Sequence, residues 1–123
     1  MATSINLQVR CRPESLRELR AEVDTLEGLA ARAFDVVKLI ANELASNSIQ
    51  HSDLGEHDQI EVAVETRRDH VRVDVHDSGA GFVLRTAPGG GGLGLPMVQR
   101  LSREFGISHT GHTHAWAEIS LSA

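Results

Sequence analysis

The chain has 123 residues, 41% of them hydrophobic and 24% charged, with a formal charge of −5 when histidines are neutral. That length supports one hydrophobic core, so a single domain over residues 1–123 is expected, and the acidic balance gives no footprint for nucleic acid. The stretches are too short and too polar for a membrane span, the start lacks a secretory pattern, and a lone cysteine, Cys11, excludes an internal disulfide; a cytoplasmic protein is expected.

In chain order, Ile5, Leu7 and Val9 alternate with Asn6, Gln8 and Arg10, the period-two pattern of a half-buried strand. Pro13 opens a helix, where its missing N–H costs nothing, and Leu16, Leu19, Val23, Leu26 and Ala30 continue one apolar stripe. A second helix is expected from about Ala33 to His51, with Phe34, Val37, Ile40 or Ala41, Leu44 and Ser48 inward. "QIEVAVETR" and "HVRVDVHD" then read as a hairpin, pointing Ile60, Val62, Val64 and Val71, Val73, Val75 one way. After two glycine clusters a third helix is expected over about Leu95 to Phe105, stopped by Gly106. A last strand carries Ala115, Ala117, Ile119 and Leu121 on one face. The sum is an α+β chain: an antiparallel-rich sheet covered on one face by helices.

The second helix carries more polar chemistry than packing needs. Glu43, Asn47 and His51 stand four apart, hence on one face, with Gln50 at its edge and no Lys or Arg to pair with them. A carboxylate and an amide oxygen one turn apart suit a hard cation such as Mg²⁺, and a Glu suits a general base.

The glycine clusters are "DSGAGF" at a strand end and "GGGGLGL" entering a helix. No Lys follows the glycines, which excludes a P-loop. Gly89, Gly91 and Gly94 fit G-x-G-x-x-G but do not follow directly on a strand, as a dinucleotide fold requires. The third template is a nucleotide held between two loops, with a flexible turn the alternative for either loop alone: Asp77 could accept a hydrogen bond from a base amino group, Gly79 and Gly81 could admit a flat ring, and the second cluster could offer amides and a helix dipole to phosphates. His109, His112 and His114 in "HTGHTH" read as turn histidines, because no Cys or carboxylate stands at metal-site spacing. A Ser/His/Asp hydrolase is unsupported, since G-x-S-x-G is missing.

"NELASNSIQHS", "DSGAGF" and "GGGGLGLPMV", in that order, resemble the three nucleotide-binding boxes of the GHKL ATPase superfamily, and the likeness spans about Ile5 to Leu121. The compact form is similar to the anti-sigma-factor serine kinases, and "GHTHAWAEISL" is similar to the family's closing turn and strand. The resemblance implies a Bergerat ATP-binding fold: a two-layer α/β sandwich with a mixed, mostly antiparallel sheet and helices on one face. It implies ATP and Mg²⁺ as cofactors. By position, Asn47 matches the Mg²⁺ ligand, Glu43 the general base and Asp77 the adenine-reading aspartate, with Gly79 and Gly81 beside the ring. Gly92, Leu93 and Gly94, with Arg85 of the lid, match the phosphate side, and Thr113 matches a threonine supporting the adenine site. The implied activity is phosphoryl transfer from ATP to a serine of a STAS-domain anti-anti-sigma protein, with or without capture of a sigma factor; a homodimer fits the same family. Three departures stand out: a lid of only "VLRTAP", Ser48 in place of the usual Ala, and His112 in place of a glycine. The short lid keeps two alternatives open, a nucleotide-binding partner-switching module and a detached histidine-kinase catalytic domain.

Overall fold

Alternation decides the sheet. In a computed structural model describing residues 3–51, 55, 58–77, 94–109 and 112–121, five strands form: β1 (Ser4–Arg10), β2 (Gln59–Thr66), β3 (His70–Asp77), β4 (Glu104–His109) and β5 (Thr113–Ser120). Their spatial order is β1-β2-β3-β5-β4, and all four pairings are antiparallel. The register aligns one apolar row after another. Leu7, Val62, Val75 and Ala115 lie side by side across four strands, and Val64, Val73 and Ala117 do the same one step along. A slip of one residue would turn every one of these side chains to the opposite face, so burial of one face fixes the register.

Three helices interrupt the strands: α1 (Ser15–Val23), α2 (Ala31–His51) and α3 (Gly94–Leu101). α2 lies over β2, β3 and β5, α1 over β1, and α3 against α2. Val37, Ile40, Ala41, Leu44 and Ala45 of α2 are essentially inaccessible and meet the valines of the sheet. The expected sandwich, helices on one face and the other face open, is what forms. Arg20 Nη1 donates to Asn42 Oδ1 at 3.0 Å and Lys38 Nζ pairs with Asp24 at 2.7 Å, tying α1 and its C-terminal end to α2.

Two expected boundaries move. The apolar stripe of the first helix runs on to Ala30, yet α1 ends at Val23; Gly28 has φ +88°, a left-handed conformation that a helix cannot contain, while Leu26 and Leu29 still pack on the core. The third helix does not reach Phe105. Ser102 donates its amide to Val98 O at 3.0 Å, the last helical bond, and Arg103 donates its own to Glu118 O at 2.6 Å, the first bond to the sheet. The segment expected to close that helix is instead β4, where Phe105 and Ile107 face Ala117 and Ala115. Gly106 is no helix stop: it lies opposite Trp116, and a Cβ there would sit 2.8 Å from the indole ring. The glycine is required by the close approach of the ring.

Candidate functional site

The covered face is apolar along most of its length and turns polar at one end. Asp77 ends β3, Thr113 begins β5, and the two are direct cross-strand partners, with Ile60 of β2 on the other side of Asp77. Strand parity aims both side chains toward the helix layer, and both are buried, at 4% and 0% exposure. Among the described residues the buried polar side chains are Ser15, Asn47, Ser48, Asp77 and Thr113. Three of those five, Asn47, Asp77 and Thr113, are candidate site residues from the sequence. Burying polar groups costs stability unless they are matched, so the paired Asp77 and Thr113 at one end of a valine-rich layer mark a place built for something other than packing.

Asn47 and Glu43 occupy the α2 face predicted for them. Asn47 Nδ2 donates to the Glu43 backbone carbonyl at 2.8 Å. A carbonyl only accepts, so nitrogen must be the amide atom that faces it, which leaves Oδ1 on the other side of the amide. This bond selects the orientation of a side-chain amide suited to hold a cation through oxygen. Glu43 is half-buried on the same helix face. Ser48, next in the helix, is fully buried, and its Oγ makes no hydrogen bond among the described residues. The backbone of Gly94 opens α3 as the second glycine cluster required. Gly79, Gly81, Arg85, Gly92 and Leu93 lie outside the described residues, as does the side chain of His51.

The open face holds a second group of polar residues that sequence reasoning did not assemble; His114, expected in a turn, is instead half-buried in β5 among them. Arg72 of β3 reaches Asp74 at 3.1 Å and Glu118 of β5 at 3.1 Å, and its guanidinium lies 4.3 Å from the centre of the Trp116 ring. His114 Nε2 lies 2.6 Å from Asp74 Oδ1. His76 stacks on His114, with ring centres 4.0 Å apart and planes 11° from parallel. Burial raises the proton affinity of Asp74 and Glu118, but hydrogen bonds outweigh it and hold both carboxyls below their ordinary pKa: from Arg72 and then His114 at Asp74, from Arg72 and then Arg103 at Glu118. Burial and the neighbouring His114 push the His76 imidazole below its ordinary pKa, against the opposing pull of Asp74 and Glu61. The only sequence signal was the alternate positions of "HVRVDVHD", whose outward residues are Arg72, Asp74 and His76; their partners on β5 needed the register.

The fold and the polar end of its covered face identify the class. The chain belongs to the histidine kinase-like ATPase domain family, whose model matches residues 9–118, and it therefore falls in the GHKL superfamily. The fold is shared with the histidine kinase AdeS of Acinetobacter baumannii: the TM-score is 0.55 over 97% of this chain and 68% of that one, at 16% sequence identity. No curated protein sequence matches the chain significantly. Among the described residues no helix is long and apolar enough to cross a membrane.

Proposed function

We propose that this domain binds ATP with Mg²⁺ and acts in the cytoplasm as an anti-sigma-factor-type serine kinase, phosphorylating a serine of a STAS-domain partner and in the same switch holding a sigma factor, with a homodimer as its assembly. The observation that carries the reading is Glu43 set one helical turn before a buried Asn47 whose amide nitrogen is taken up by Glu43 O, which leaves its oxygen as the group to offer a cation. The donor set fits the cofactor: an amide oxygen and a carboxylate for a hard cation, and a buried aspartate beside a buried threonine for the base. Bound with Mg²⁺, ATP supplies a transferable γ-phosphoryl group whose charge the metal neutralises. Asn47 Oδ1 would hold the ion, Asp77 would accept a hydrogen bond from the adenine amino group, Thr113 would support the adenine site from the neighbouring strand, and Glu43 would take the proton of the attacking serine hydroxyl.

Two experiments test it. Calorimetric titration of ATP in Mg²⁺ should give a dissociation constant that rises about 10- to 100-fold in Asp77→Asn, the size of one charged hydrogen bond, with the fold intact by circular dichroism. Phosphotransfer to a STAS-domain protein should fall about 10²- to 10⁴-fold in Glu43→Ala while ATP binding persists. A rate equal to the wild type would remove Glu43 as base.

The six-residue lid, Val83 to Pro88, favours a second reading. A partner-switching module would bind ATP and its partner but transfer nothing, so wild type and Glu43→Ala would be equally silent. A detached histidine-kinase catalytic domain would transfer phosphoryl to a histidine; Glu43 weighs against that, because a histidine acceptor is itself a nucleophile and needs no base.

A further inference from the structure

We propose that the open face of the sheet carries a transition-metal site, formed by Asp74, His76 and His114 and suited to Zn²⁺, back to back with the nucleotide end of the covered face. One potential ligand atom from each of the three residues lies within 4.8 Å of the other two. Ligand atoms around a tetrahedral Zn²⁺ are about 3.3 Å apart, given metal–ligand distances near 2.0–2.2 Å. The group is thus loosely assembled, and side-chain rotation has to close it around an Asp74 that Arg72 also holds.

The backbone contribution is rigid. His76 and His114 are direct partners on adjacent antiparallel strands, so their Cβ atoms start side by side on one face. Asp74 is two residues before His76 and therefore on the same face. Across the row, Glu61 of β2 is the cross-strand partner of His76 on its other side, and His112 has its ring centre 5.8 Å from that of His76. Either can approach as a fourth ligand, and water can fill that position. His114 Nε2 and Asp74 Oδ1 already share a hydrogen at 2.6 Å, and the ion takes the place of that hydrogen. The imidazole then carries its proton on Nδ1, or releases one if it began protonated. His76 swings out of its stack on His114 to complete the set.

Two imidazoles and one carboxylate suit Zn²⁺, Co²⁺, Ni²⁺ or Cu²⁺, whereas Mg²⁺ prefers an all-oxygen shell. The site is therefore chemically distinct from the Glu43–Asn47 pair. Its location gives it a structural consequence. His76 precedes Asp77 and His114 follows Thr113, so an ion held by both histidines cross-links β3 and β5 one residue from the buried Asp77–Thr113 pair. The proposal stands independently of whether the domain transfers phosphate.

The test uses untagged full-length protein, stripped with chelator, dialysed and titrated with ZnCl₂ in saturating Mg²⁺ without nucleotide. Calorimetry should show one Zn²⁺ per chain. His76→Gln and His114→Gln should each weaken binding at least about tenfold, and the double variant at least about a hundredfold. His112→Gln should cost less than either. Because a variant can lose its fold, the wild-type protein supplies a second reading: on Zn²⁺ addition the imidazole nitrogen resonances of His76 and His114 should shift together. The proposal is overturned by no Zn²⁺ uptake in the wild type. It is equally overturned by a folded double variant that binds Zn²⁺ as the wild type does, or by imidazole shifts confined to other histidines.

Discussion

The two faces of β3 differ more than their shared backbone would suggest. On the covered face Val71, Val73 and Val75 are fully buried under α2, and the row ends in Asp77. On the open face His70, Arg72, Asp74 and His76 are half-buried and engage one another and β5. One face is held by burial of hydrocarbon, which is indifferent to direction and tolerant of distance. The other is held by charged hydrogen bonds, which require particular atoms at particular separations. The nucleotide site we propose grows from the end of the first face, and the metal site from the second. A period-two strand can thus serve two chemistries, provided that register is fixed by the face that buries hydrocarbon.

The largest expected effect breaks the covered face. Leu44→Ala removes a fully buried side chain of α2 and should cost about 2–5 kcal/mol, read as a lower urea midpoint with an unchanged slope. On the open face, Arg72→Met leaves Asp74 and Glu118 without their shared cation and Trp116 without its stacked guanidinium, and should cost about 1–2 kcal/mol at neutral pH. That loss carries a pH signature which the first does not. Both carboxyls have a folded pKa below the unfolded one, so the stabilisation is complete above the ordinary carboxylate range and disappears as pH falls through the folded values. Thermal melts of wild type and Arg72→Met should therefore draw closer in acid, short of meeting by the share that the Trp116 contact contributes, while Leu44→Ala stays displaced from the wild type by its full amount. The smallest change is Ser48→Ala. It removes a fully buried hydroxyl that has no hydrogen-bond partner among the described residues, and it should be neutral or stabilise by up to about 1 kcal/mol.

The same contrast explains what the sequence could and could not reveal. Covered-face elements were legible because their information is local: valines two apart in β2 and β3, and Val37, Ile40 and Leu44 at helical spacing in α2. The polar residues that interrupt those patterns, Asn47 and Asp77, stood out for the same reason. β4 was misread because Phe105 and Gly106 follow a helical stripe and resemble its end; the choice between helix and strand was made by pairing to β5 and by the indole lying against Gly106. The open-face cluster was out of reach. The carboxylate sought near "HTGHTH" exists, but it is Asp74, forty residues before His114, and only the register of β3 on β5 brings them together.

Trp116 gives the open face an optical consequence. The chain has one tryptophan and no tyrosine, so its near-ultraviolet emission comes from a single indole. That ring lies between the backbone of Gly106 and the Arg72 guanidinium, on the strand position directly opposite Asp74. Fluorescence therefore views the molecule from one side. It senses rearrangement around Arg72 and Asp74 directly, and events beneath α2 only through the thickness of the sheet.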